Sequence, residues 1–137
     1  MGKYLNPGNQ GFQKTLNSEI YVDKTGLIAY TNKVVDTRQQ YICVSRPRRF
    51  GKSMAAEMLA AYYGRDCDSK EQFENLAITK EKSFETYLNK YDVIFLNMQE
   101  FLSRSKNIED MLERIRKLIM QDLKKHIRMW NILMKQI

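Results

Sequence analysis

Gly51, Lys52 and Ser53 close the stretch SRPRRFGKS, and that succession of residue types has a specific use in phosphate chemistry. A loop written G-x-x-x-x-G-K-[ST] curls its main-chain N–H groups around a polyphosphate, sends its lysine to the outer oxygens and offers its hydroxyl to Mg²⁺. The three residues fill the last three places of that pattern. Arg46 stands where the first glycine belongs, and Pro47 after it lacks an N–H and holds Arg46 extended, so the loop must be entered differently. A Gly-Lys-[Ser/Thr] tripeptide arises by chance in a chain of this length with odds on the order of one in ten to twenty, so the flanking elements have to decide. The residues assigned to a nucleoside triphosphate are Arg48, Arg49, Phe50, Gly51, Lys52, Ser53 and Met54, with Ser53 reaching Mg²⁺ held by the nucleotide. Arg48 and Arg49 either grip phosphate oxygens or stay solvated, and both readings remain open. A second function class is open too: Arg46, Arg48 and Arg49 as a basic patch on a nucleic-acid backbone.

The elements around the loop suit a phosphate cradle. QYICVS, Gln40 to Ser45, is short, apolar and rich in β-formers, which predicts a strand buried on both faces. After Lys52, SMAAEMLAAYYG predicts a helix by propensity, closed at Gly64. Helical spacing is also present from Thr25 to about Val34, and two short helical segments follow with Phe73, Leu76, Phe84 and Leu88 inward. DVIFLNM, Asp92 to Met98, predicts a second buried strand. One apolar face then runs from Ile108 to Ile137, a long amphipathic helix over about 107–136 with Asn107 and Asp110 capping its start. Its last apolar residues, Trp130, Leu133, Met134 and Ile137, require a partner surface from further chain or from an oligomer. The apolar pattern is still running at Ile137, which predicts a truncated domain. Residues 1–11 read as an N-terminal arm of turn chemistry, and 12–137 as one continuous unit.

Composition bounds the rest. The 137 residues carry 23 basic and 16 acidic side chains, a net charge of +7 that permits phosphate binding of any kind without choosing among its sources. Both ends are basic and the middle is acidic. The basic flank of the long helix, Arg114, Lys117, Lys124, Lys125 and Arg128, reads as a solvated face because Glu109, Asp110, Glu113 and Asp122 are interspersed. Cys43 and Cys67 offer neither a disulfide framework nor metal-ligand spacing, and the lone His126 supports no triad, so a reducing cytoplasm is the expected compartment. No apolar run predicts a membrane span, and Asn6 stands where an acylation site at Gly2 would need Ser or Thr.

YVDKTGLI, then SRPRRFGKSMAAEML, FENLAI and YDVIFLNM, resemble the N-terminal part of the AAA-ATPase-like family of predicted P-loop ATPases, found mainly in bacteria. In that family Y-V-D-K-T precedes an R-P-R-R-F-G-K-S loop, so the resemblance makes Arg46 and Pro47 the family's own form of the motif. It implies a three-layer α/β P-loop NTPase core of the additional-strand type, ATP and Mg²⁺ as ligands, and in longer relatives a nuclease-like C-terminal domain. Asp23 and Lys24 lie in the first motif, either near the nucleotide or as an exposed pair at a helix start. Tyr21 and Phe12 are aromatic groups able to cover a base or to pack a core. The family's acidic I-D-E-Y-D stretch, which holds Mg²⁺ and activates water, has no counterpart here. VIFLNMQE puts neutral Asn97 where an aspartate should end the strand, with Glu100 on the surface. The implied activity is ATP binding, and hydrolysis would require the acidic stretch that full-length relatives carry further along the chain. In the family's strand order, 40–45 and 92–98 are not neighbours, so both lack their natural sheet partners and the chain is expected to be marginal or oligomeric.

Overall fold

The computed structural model describes residues 3–45 and 51–134, with 126–134 described for their main chain only. The helices are α1 (Gln10–Leu16), α2 (Gly26–Val34), α3 (Lys52–Tyr63), α4 (Lys70–Phe73), α5 (Phe84–Tyr87), α6 (Met98–Arg104) and α7 (Ile108–Met134), with a 3₁₀ turn at Ala77–Lys80. The chain divides into two compact units, one formed by Gly8–Asp92 and the other by the segments on either side of it. Among the described residues no helix is long and apolar enough to cross a membrane.

The three-layer α/β core expected from the sequence is overturned. The described residues contain no sheet, and their β pairing is confined to two isolated bridges, Leu5 with Ile94 and Gly64 with Tyr91. Gln40–Ser45 forms no regular structure, and Tyr41, Ile42 and Val44 are 88%, 39% and 47% exposed. β-branched and aromatic residues favour a strand only when a neighbouring strand takes up the main-chain hydrogen bonds and a face covers the side chains. This run has neither among the described residues. Asp92–Met98 does slightly better. The Asn6 N–H donates to the Val93 carbonyl at 2.7 Å, the Val93 N–H to Asn6 Oδ1 at 2.8 Å and the Phe95 N–H to the Tyr4 carbonyl at 2.8 Å, before the chain turns into α6.

Within Gly8–Asp92 the core is aromatic and centred on the last turn of α3. Tyr62 is fully buried, edge-on to Phe73 at 5.6 Å, while Phe73 stacks on Phe12 of α1 at 4.8 Å. The Tyr62 hydroxyl donates to the Phe84 carbonyl at 2.7 Å and accepts from Asn32 Nδ2 at 2.9 Å, and burial pushes its pKa up to about 12. Tyr63 in turn donates to Asn32 Oδ1 at 2.6 Å and pairs with Thr31 at the same distance, so α2 is tied to α3 by polar as well as apolar contacts. Beyond α3, Asn89 Nδ2 donates to the Ala61 and Gly64 carbonyls at 3.1 and 2.6 Å, taking up acceptors that a helix end leaves open. Gly64 is the expected stop, for a reason of space: it is extended, and a Cβ there would lie 2.8 Å from the Ala60 carbonyl oxygen.

In the other unit α6 packs on α7, and Tyr4, Phe101 and Met111 form the buried cluster, with Leu96, Ile115 and Leu118 against it. Asn107 caps α7 as expected: its Oδ1 accepts from the Asp110 N–H at 2.8 Å, and Asp110 Oδ2 accepts from the Lys106 N–H at 3.1 Å. Asp122 departs from the solvated face to which sequence pattern assigned it. It is 7% exposed, and its Oδ2 accepts from the main-chain N–H groups of Tyr4 and Leu5 at 2.6 and 3.2 Å. The side chains of His126, Arg128, Trp130, Leu133 and Met134, and the whole of Ile137, lie outside the described residues.

Asp122→Ala leaves two buried N–H groups without this acceptor and should cost about 2–3 kcal/mol in urea unfolding. Glu113→Ala on the exposed face of the same helix should change stability by no more than about 0.5 kcal/mol. Equal effects would mean that the Asp122 carboxylate is solvated after all.

Candidate functional site

The head of α3 is built for an anion by its main chain. Gly51 caps the helix in the left-handed region (φ +80°), its carbonyl accepting from the Ala55 N–H at 2.9 Å. A side chain would be strained in that conformation, which is the local reason for glycine here. Lys52, Ser53 and Met54 form the first turn, whose N–H groups have no carbonyl of the helix to bond. All three residues are exposed, and no acidic residue lies in that turn. The helix dipole, the first-turn N–H groups and the charge of Lys52 all favour an anion at this helix end. Arg46, Pro47, Arg48, Arg49 and Phe50 lie outside the described residues.

The Asp23–Thr25 segment explains what else stands there. Asp23 Oδ1 accepts from the Thr25 N–H at 2.8 Å and from Thr25 Oγ1 at 2.6 Å, and Oδ2 accepts from the Ala77 N–H at 2.8 Å. Thr25, wholly buried, accepts in turn from the Ile78 N–H at 3.2 Å. Asp23 thus fastens the start of α2 to the 3₁₀ turn, a role that neither of its sequence readings contained. Burial pushes its carboxyl up, but the hydrogen bonds from Thr25 and Ala77 outweigh this and hold it below its ordinary value of 3.8. Between these two fixed residues, Lys24 extends to Gly51: its Nζ lies 2.5 Å from where a Cβ on Gly51 would be. The Asp and Thr of the Y-V-D-K-T motif lock the main chain, and the Lys is delivered to the loop. Only the short spacing of Asp23, Lys24 and Thr25 hinted at this in the sequence; the reach to Gly51 is tertiary.

Phe12 is 1% exposed and belongs to the core, with Tyr21 edge-on to it at 6.3 Å. Beside them a cleft of about 210 Å³ opens along α3, walled by Phe12, Ile20, Tyr21, Val22, Met54 and Met58, with Lys24 also on its lining. Asn97 ends no strand. Its side chain accepts from the Gln99 N–H at 3.2 Å and caps α6, while Glu100 lies 3.8 Å from both Lys3 and Arg104. Among the described residues no group of three or more His, Cys, Asp or Glu side chains is placed to hold a metal ion, so a cation at α3 would depend on the Ser53 hydroxyl and on ligand oxygens.

A group whose folded pKa is depressed stabilises the fold above its unfolded value, and that contribution is lost as pH falls through the folded one. Asp23→Asn, which turns an amide donor toward existing donors, should therefore lower stability at neutral pH by about 1–2 kcal/mol. The gap from wild type should close as pH drops well below 3.8, read by thermal unfolding at matched salt. A gap independent of pH would show that the carboxylate charge plays no part.

A family model named AAA-ATPase-like and described as a predicted AAA-ATPase matches residues 7–135. No curated protein and no solved structure matches the chain. The match takes in α1 to α7, the left-handed glycine at the head of α3 and the lysine that reaches it, and the chain belongs to the AAA-ATPase-like family.

Proposed function

We propose that this chain binds a nucleoside triphosphate, ATP with Mg²⁺, at the head of α3. The observation that carries the reading is the reach of Lys24 to a left-handed Gly51 at the positive end of a twelve-residue helix that has no acid in its first turn and an exposed Lys52 as its first residue. Membership of a family described as a predicted AAA-ATPase supports it. In this reading the main-chain N–H groups of Gly51 and Lys52 surround the β-phosphate, the two ammonium groups neutralise the outer oxygens, and the Ser53 hydroxyl takes one position on Mg²⁺. Met54 follows on the same turn, and Arg48, Arg49 and Phe50, which precede Gly51 in the sequence, are assigned to the same ligand. The activity proposed is binding, and no residue is assigned to the activation of water. A reducing cytoplasm, where this ligand is abundant, is the proposed compartment.

Titration calorimetry with MgATP tests the site. Lys52→Ala should weaken binding at least about tenfold, as loss of a charge-assisted contact predicts. Lys24→Ala should weaken it several-fold, with helical content unchanged. Unaltered affinity in Lys52→Ala would overturn the assignment. DNA binding that falls steeply with salt and is not displaced by MgATP would favour the Arg46, Arg48 and Arg49 patch instead.

A further inference from the structure

We propose that the cleft beside α3 seats the nucleobase, and that it holds the base chiefly by burying its ring. The inference rests on the phosphate site proposed above and adds where the other end of the ligand goes. Position is the first argument. Met54 and Met58, one turn apart on α3, form one wall, and Lys24 both lines the cleft and stands over Gly51. A ligand with an anionic tail at the helix head and a flat apolar body beside the first two turns meets the reach of that single side chain at both ends.

Size is the second. Apolar cavities of about 150 Å³ accommodate a benzene ring, so a cleft of about 210 Å³ suits a fused aromatic ring and leaves ribose and phosphates outside it. Chemistry is the third. Two hydroxyls around the cleft donate to main-chain carbonyls, Thr15 Oγ1 to Gly11 and Ser18 Oγ to Lys14, each at 3.3 Å, while the Tyr21 hydroxyl is buried with no hydrogen-bond partner among the described residues. Most of the remaining lining is apolar. Ile20 and Val22 are 84% and 64% exposed, area that a bound ring would cover, and the two methionines supply polarisable sulfur suited to contact with an aromatic edge. A wall of this kind discriminates weakly between bases, since every base offers the same flat face.

The test uses the full chain with three probes: MgATP, MgGTP and magnesium tripolyphosphate, which has the tail and no base. Wild type should bind MgATP more tightly than tripolyphosphate, and MgATP and MgGTP within about tenfold of each other. Ile20→Ser combined with Val22→Ser, both at exposed positions, should weaken MgATP about tenfold and leave tripolyphosphate unchanged. Thr15→Trp, which fills the cleft, should do the same. Equal affinity of wild type for MgATP and tripolyphosphate, equal weakening of both probes by the cleft variants, or a hundredfold preference for one base would overturn the proposal. Failure of the phosphate site reads differently: Lys52→Ala then leaves both ATP and tripolyphosphate unaffected, and the base seat falls with it.

Discussion

Burial of Tyr62 at the end of α3 is the constraint on which the Gly8–Asp92 unit turns. Its ring is enclosed by Phe73 and Phe84, and its hydroxyl is bonded to a main-chain carbonyl and to Asn32, so the last turn of the helix can take only one orientation. A polar tip buried without those partners would be strongly unfavourable, and with them it selects among packings that apolar contact alone would leave nearly equivalent. A helix transmits that choice. Twelve residues span about 18 Å, so fixing the Tyr62 end also fixes where the Gly51 end points. Asn89 and Ser69 complete the anchor by donating to the Ala61 carbonyl in the last turn, and Asn89 also to that of Gly64 just after it.

The two ends of α3 follow opposite rules. Its C-terminal end is dry, aromatic and saturated with hydrogen bonds. Its N-terminal end is exposed and has no acidic residue in its first turn, the residue with which a structural helix end ordinarily offsets its positive dipole. The Asp23–Thr25 clamp belongs to the same arrangement, because it puts a carboxylate where it can order the main chain while directing its neighbour Lys24 at Gly51. Charge that might have neutralised the helix head is thereby used for positioning, and the head stays positive.

Asp122 and Asp23 make a common point about acidic residues in a basic chain. Each accepts main-chain N–H bonds from a segment distant in sequence, Tyr4 and Leu5 in one case and Ala77 in the other. The ion pairs Arg65–Asp92, Lys70–Glu85 and Arg114–Asp110 are by contrast surface contacts of small worth. Carboxylates at such junctions satisfy donors that irregular segments would otherwise bury without a partner.

Helices α2, α3 and α7 were legible in the sequence because their causes are local, whereas α1 and α6 were not marked. Alanine and methionine propensity set α3, Gly64 stopped it, Asn107 and Asp110 started α7, and helical spacing marked Phe73 and Phe84 as inward. Family membership was legible too, because the two motifs are contiguous strings. The strands at 40–45 and 92–98 were misread because composition records only a strand's preference, whereas its formation depends on a partner that sequence pattern does not show. Asp122 was likewise misread, since periodicity places a residue on a face without saying what crosses over that face. By itself the sequence determined the extent of α2 and α3, the start of α7 and which residue types stand at the head of α3. Only the tertiary structure decided that Asp23 would clamp, that Lys24 would reach Gly51 and that an apolar cleft would open beside them, because each depends on the approach of segments tens of residues apart in the chain.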